Sequence, residues 1–137
     1  MRQIKFRAIV SVNTDKPKEM RYYDLSRIDD LNRLAAEDWD INQLMQFTGL
    51  HDKNGKEIYE SDILSKYETD YEHEDYQAFV DSGFDGIEPQ KKVVDVCVLN
   101  FRYWLKNELF GYEGEDLQSP DDWEVIGNIY ENPELLG

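Results

Sequence analysis

The sequence predicts an α+β domain: a small, strongly bent antiparallel sheet or partial β-barrel, Src-homology-3-like, carrying one or two short helices. Three observations lead there. The run Leu44 through Glu60 reads as two short strands joined by a turn containing Asn54-Gly55, a strong local hairpin signal. The run from Lys92 to Tyr103 is rich in Val and bounded by turn residues, as a strand should be. Apolar residues recur at helical spacing in only two stretches. Five or six short strands around one or two helices are most simply arranged as a bent sheet with helical additions.

Residues 3–10 alternate, with Ile4, Phe6 and Ala8 on one side and Lys5 and Arg7 on the other, and read as a first strand with one polar face. Asn13 to Lys18 is a turn or loop, and Met20, Tyr22 and Tyr23 bring a second strand back beside the first. Ser26-Arg27-Ile28-Asp29 has the capping-box pattern, with Asp as a shorter partner than Glu. Ile28, Leu31, Leu34 and Ala35 follow at helical spacing, predicting a helix of about ten residues. It ends near Glu37-Asp38, with its apolar stripe as packing surface.

Asn42 to Gly49 reads as the third strand and Lys56 to Leu64 as the fourth, with Ile58, Ile63 and Leu64 inward and a bend at Glu60-Ser61-Asp62. Gly55 supplies positive φ where the chain reverses. Residues 66–90 read as an acidic insertion, with one basic residue, Lys66, and eight acidic ones. Tyr71, Tyr76, Phe79 and Val80 there line one side of a helix from about Glu72 to Val80, and residues 81–89 form a loop. Trp104 to Tyr112 is a further strand or a short helix, and Glu113 to Asp122 an acidic loop. Trp123 to Tyr130 is a last strand, ended by Asn132-Pro133. The whole, 1–137, reads as a single domain.

The net charge of −15 resides in residues 51–137, because residues 1–50 hold eight basic and eight acidic side chains that cancel. After Lys106 there is neither Lys nor Arg. A surface this acidic repels phosphate backbones, so direct nucleic-acid binding is not expected. No apolar run approaches the roughly 20 residues that span a bilayer, and the N-terminus does not read as a secretory signal. A soluble protein of the cytoplasm is expected. The one cysteine, Cys97, forms no intrachain disulfide and reads as a small buried hydrophobe within Val93 to Leu99.

The residues that could carry chemistry do not converge. His51 sits in the hairpin loop with no nucleophile-elbow pattern around it. His73, in Asp70 to Asp75, has the ligand types for a divalent cation, but neighbouring residues on a helix point in different directions. Asp52-Lys53-Asn54-Gly55 fails as a calcium loop, whose glycine comes sixth, after three alternating oxygen donors. There is no phosphate-binding glycine loop. No catalytic, cofactor-binding or metal-ligating residue is assigned, no cofactor is expected, and the chain does not read as an enzyme.

Three separated segments resemble the YopX family of phage and prophage proteins: Ile4 to Ala8; Leu44 to Leu64, with Gln46-Phe47-Thr48-Gly49-Leu50, Asp52-Lys53-Asn54-Gly55-Lys56 and Glu57-Ile58-Tyr59-Glu60; and Glu124 to Leu136. They stand in the family's order and reach both ends of the chain. The family usually has an aromatic where this chain has Ile9, and Gly where it has Ser61. The second exchange indicates a bend that accepts a side chain and weighs against a positive φ there. The resemblance implies a small soluble phage-encoded protein with a barrel-like sheet and helical parts, some members forming homo-oligomers. It carries no catalytic residue.

The expectation is a non-enzymatic phage or prophage protein in the cytoplasm of a bacterial host cell, acting through contacts with copies of itself and with a host or phage protein. Its interaction surface is expected among Tyr71, Tyr76, Phe79, Trp104 and Trp123. The alternative is an acidic nucleic-acid mimic that inhibits a host DNA-binding protein, using carboxylates of 66–90 and 107–137. A third reading is a metal-dependent enzyme centred on His73.

Overall fold

Alternating burial along short strands sets the architecture. The computed structural model describes residues 3–10, 18–36, 44–99, 109–112, 116–118 and 120–137. Their strands are β1 (Lys5–Val10), β2 (Glu19–Asp24), β3 (Met45–His51), β4 (Glu57–Tyr59), β5 (Asp62–Thr69), β6 (Gln90–Val96), β7 (Leu109–Phe110), β8 (Asp116–Gln118) and β9 (Glu124–Asn128). Two short helices, α1 (Ile28–Ala36) and α2 (Tyr76–Asp81), complete the regular structure. The sheets run β2-β1-β3-β4, β6-β5-β9 and β7-β8, all antiparallel, with a strongly curled half-barrel among them. The fold is α+β and mostly sheet, as the sequence predicts.

In β1 the two-residue period puts Ala8 and Val10 on one face, where they are buried with Tyr23 of β2 against Leu34 and Leu44. Of the apolar stripe on α1, Leu34 joins this cluster, whereas Ile28, Leu31 and Ala35 are exposed. The stripe is therefore only partly packing surface. The capping box is replaced as well. The Asp24 carboxylate accepts the Ser26 backbone N–H at 3.0 Å and its hydroxyl at 2.7 Å, while the Asp24 N–H donates to Asp30 at 2.9 Å. Asp24 and Asp30 reach over the first turn, and Ser26 is held as a donor.

The opposite face of β1 is not polar surface. Arg7 is 4% exposed. Its Nη2 donates to Asp62 Oδ1 at 2.7 Å and to the Glu60 carbonyl at 3.3 Å, and its guanidinium lies 4.8 Å from the Tyr59 ring centroid. The second Asp62 oxygen accepts the Tyr59 N–H at 2.8 Å. Burial pushes the Asp62 carboxyl up, against the pull of the Arg7 charge and the Tyr59 N–H. Beside this pair Lys5 Nζ meets Glu57 at 2.7 Å and lies over the Phe47 ring.

The segment predicted as one strand over 56–64 is two strands, β4 and β5, broken at Glu60-Ser61. Ser61 stands at φ +74°, so the side chain at the bend coexists with a positive φ, contrary to the expectation. A non-glycine residue there costs about 1–2 kcal/mol. Three backbone hydrogen bonds hold the turn: Ser61 N–H to Cys97 O at 2.8 Å, Ile129 N–H to Ser61 O at 3.1 Å, and Glu60 N–H to Gln46 O at 2.9 Å. The turn is thus tied to both sheets at once.

Ile58, Leu64, Cys97, Trp123 and Val125 form the second core cluster, with Leu50 and Val93 against it. Ile58, Ile63 and Leu64 are fully buried, as predicted. Gly55 has φ +81°, also as predicted. The hairpin loop is closed by Asp52, whose carboxylate accepts backbone N–H groups from Asn54 at 2.8 Å, Lys56 at 2.9 Å and Val125 at 2.9 Å. Burial raises its pKa, but these three donors and the Lys56 charge outweigh it and hold the group below its ordinary value.

The strand predicted over 92–103 is described as β6 to Val96, followed by a bridge from Cys97 to Gly111; residues 100–108 lie outside the described residues. The predicted acidic loop 113–122 contains β8, paired with β7, and a 3₁₀ turn at Pro120–Asp122. Residues 66–69 belong to β5, and the helix predicted over 72–80 is the shorter α2.

Replacing Arg7 by Met leaves Asp62 buried without its cation and is expected to cost about 3–5 kcal/mol in urea unfolding. For Asp52, a depressed folded pKa means that its contribution is complete above about pH 4 and is lost as pH falls through the depressed value. Asp52→Asn is expected to cost about 1–3 kcal/mol at neutral pH and to flatten the loss of stability between pH 4 and acid, read from unfolding curves at a series of pH values.

Candidate interaction surfaces

Two exposed apolar surfaces stand out, at opposite ends of β6. The first is a groove of about 730 Å³ lined by Val94, Val96, Tyr112, Ile129, Leu135 and Leu136. Its floor follows from register: Val94 and Val96 face away from Asp95, opposite Ser65 and Ile63 of β5. Its far wall follows from the last strand. Asn128 Oδ1 accepts the N–H groups of Tyr130 at 3.0 Å and Glu131 at 2.9 Å, turning the chain. Asn132 Oδ1 then accepts the Asn128 N–H at 3.2 Å. A Cβ on Gly127 would stand 2.6 Å from that oxygen, so glycine is needed for the turn to close. The 3₁₀ turn Pro133–Leu136 follows and presents Leu135 and Leu136 to the groove. Tyr112 caps the end of β6, donating its N–H to Val96 O at 2.8 Å. Among the described residues no strand pairs with the outer edge of β6 before that point.

The second surface is the connection between β5 and β6. It is closed at its base by the Asp70 N–H to Pro89 O, 2.8 Å, and by the Thr69 hydroxyl to Glu88, 3.0 Å. Above that, rings stack in a chain: Tyr71 on Tyr76 at 5.1 Å, Tyr76 on Phe79 at 6.3 Å, and Phe79 on Phe84 at 5.5 Å. Tyr67, Tyr71, Phe84 and Ile87 remain exposed, Ile87 at 94%.

The structure thus brings Tyr71, Tyr76 and Phe79 together. Trp104 lies outside the described residues. Trp123 is 2% exposed in the second core cluster, under Lys66 Nζ at 4.9 Å from its ring, so it offers no side chain to a partner. A Trp followed by alternating apolar residues at the start of a strand is as consistent with core as with surface. Phe84 and Ile87 join the second surface from the predicted loop 81–89, where their one signal in the sequence is that they are apolar residues set among Gly83 and Gly86 in an acidic stretch. Leu135 and Leu136 become groove residues only through the Asn128–Asn132 turn.

His73 accepts the Asp75 N–H on its Nδ1 at 3.0 Å, which makes it a turn residue. His51 ends β3, exposed beside Phe47. Among the described residues no three His, Cys, Asp or Glu side chains are grouped to hold a metal ion. Burial first, then the carboxylates of Asp62 and Glu60, pushes the Cys97 thiol far up, so the thiolate is disfavoured. No helix among the described residues is long and apolar enough to cross a membrane.

Fold and surfaces together define a small α+β protein whose buried polar groups serve the fold and whose apolar surplus faces outward. The family described as YopX protein matches residues 4–137 of the chain, and the chain belongs to the YopX family. It is similar to protein EF1440 from Enterococcus faecalis, known from a crystal structure, at 22% identity over 98% of either chain with a TM-score of 0.46. No curated protein matches it.

Cys97 is expected to resist a thiol reagent in the native protein and to react at once in denaturant, measured as thiols modified per chain. Rapid native labelling would contradict its burial.

Proposed function

We propose that this is a phage- or prophage-encoded, non-enzymatic protein that works in the host cytoplasm through protein–protein contacts, with self-association among them. The groove carries the reading. Val94, Val96, Tyr112, Leu135 and Leu136 present apolar side chains around a concave surface beside a strand edge that no other strand among the described residues pairs with, and both features are satisfied when another chain covers them. Burying one such side chain is worth about 1.5–3 kcal/mol. Sedimentation equilibrium at micromolar concentration is expected to give a mass above the monomer. Val94→Asp with Leu136→Asp should return the monomer with the melting temperature preserved, because both residues are already exposed. A wild-type protein that stays monomeric at high concentration would remove self-association from the proposal.

A second reading, an acidic mimic of nucleic acid that occupies a host DNA-binding protein, is favoured by one observation. The carboxylates of Glu72, Glu74, Asp81 and Asp85 are exposed and make no ion pair among the described residues. Under that reading a host nucleic-acid enzyme co-purifies stoichiometrically at low salt and is released at high salt.

A further inference from the structure

We propose that the β5–β6 connection is a docking surface for a basic segment of another protein that carries aliphatic side chains, such as an amphipathic helix flanked by Lys or Arg. This rests on the reading that the protein acts through protein contacts. It assigns those contacts a second place, away from the groove, and a partner chemistry.

Exposure is the first ground. Tyr67, Tyr71, Phe84 and Ile87 are each at least 65% exposed, on one continuous segment. Order is the second. The aromatic stack, the closed base and the hydrogen bonds of Ser82, whose hydroxyl donates to Phe79 O at 2.7 Å and accepts the Asp85 N–H at 3.2 Å, hold Tyr71 and Phe84 in place. Phe84 stands at φ +65°, beside Gly83 at φ +79°. Its N–H donates to Phe79 O at 2.9 Å, and its ring is kept two-thirds exposed in a backbone conformation that suits glycine better. A preorganised apolar surface loses little freedom on binding.

Charge selects the occupant. Between Lys66 and Lys91 there is neither Lys nor Arg, and Asp70, Glu72, Glu74, Asp75, Asp81, Asp85 and Glu88 are interspersed with the apolar side chains of the tip, while Lys91 and Lys92 of β6 lie only at its base, across from Glu68 and Tyr67. A second copy of this tip, a nucleic acid and an anionic lipid surface are all repelled by that rim; a cationic segment is attracted, and its aliphatic face has Phe84 and Ile87 to meet.

The test titrates the isotope-labelled full chain with three short synthetic peptides: an amphipathic helix of Leu and Lys, a Lys/Ser peptide of the same charge, and a Leu/Glu helix. Chemical-shift changes should be confined to residues 67–88 and appear with the Leu/Lys peptide, with the Lys/Ser peptide weaker by about tenfold or more. Phe84→Gly with Ile87→Ser should weaken the Leu/Lys peptide by about tenfold or more, while the melting temperature is unchanged or raised, because glycine relieves the backbone at position 84. Equal binding of the Lys/Ser peptide would reduce the surface to charge alone and overturn the proposal. So would shifts centred on the groove, or indifference to the double substitution. Oligomeric mass is read separately, so a monomeric protein that binds the peptide through 67–88 loses the self-association reading and keeps this one.

Discussion

The buried Arg7–Asp62 pair is the constraint on which the rest of the structure depends. It joins residues 55 apart in sequence, across the seam between the four-stranded and three-stranded sheets. A charge pair inside a protein is costly unless every lone pair and proton has a partner. That requirement shapes the surroundings: the Tyr59 N–H takes the second carboxylate oxygen, the Glu60 carbonyl takes a further guanidinium proton, and the Tyr59 ring lies against the cation. To supply those groups the chain must turn sharply between Tyr59 and Asp62, which places Ser61 in the left-handed region and sends β5 into the other sheet. The pair specifies register across the seam, since a slip of one residue would bury a lone charge.

A second buried carboxylate does the same for the far end of the barrel. Asp52 gathers N–H groups from its own loop and from Val125, so the hairpin β3–β4 and the final strand are fastened by one side chain. The family-like runs around Asp52 and around Gly127-Asn128 thereby acquire a physical meaning. Each is a turn whose polar side chains replace backbone partners, and one of them admits only glycine because Asn132 presses against it.

The α+β class, the hairpin at Asn54-Gly55 and the inward Ile58, Ile63 and Leu64 were legible because they depend on local pattern. Arg7 was not. An alternating Ile-Lys-Phe-Arg-Ala run looks half-solvated until a carboxylate more than fifty residues away arrives to pair with it. Asp52 resembled a defective calcium loop because its real ligand, a backbone N–H of β9, is remote in sequence. Tyr76 and Phe79 were legible as one face of a short helix, whereas Tyr71 precedes α2 and meets Tyr76 through ring packing alone; Trp123 lies in the core, and the local pattern at the start of β9 does not tell a buried ring from an exposed one. The apolar groove depends on a turn whose geometry emerges only once Gly127 and Asn132 meet.

Neither core cluster contains a residue from the connection between β5 and β6, whose side chains stack chiefly on one another above a base of two hydrogen bonds. That separation has an evolutionary consequence. Substitutions there are nearly invisible to folding, so this segment can diversify under selection from its surroundings while the seam at Arg7 and Asp62 stays fixed.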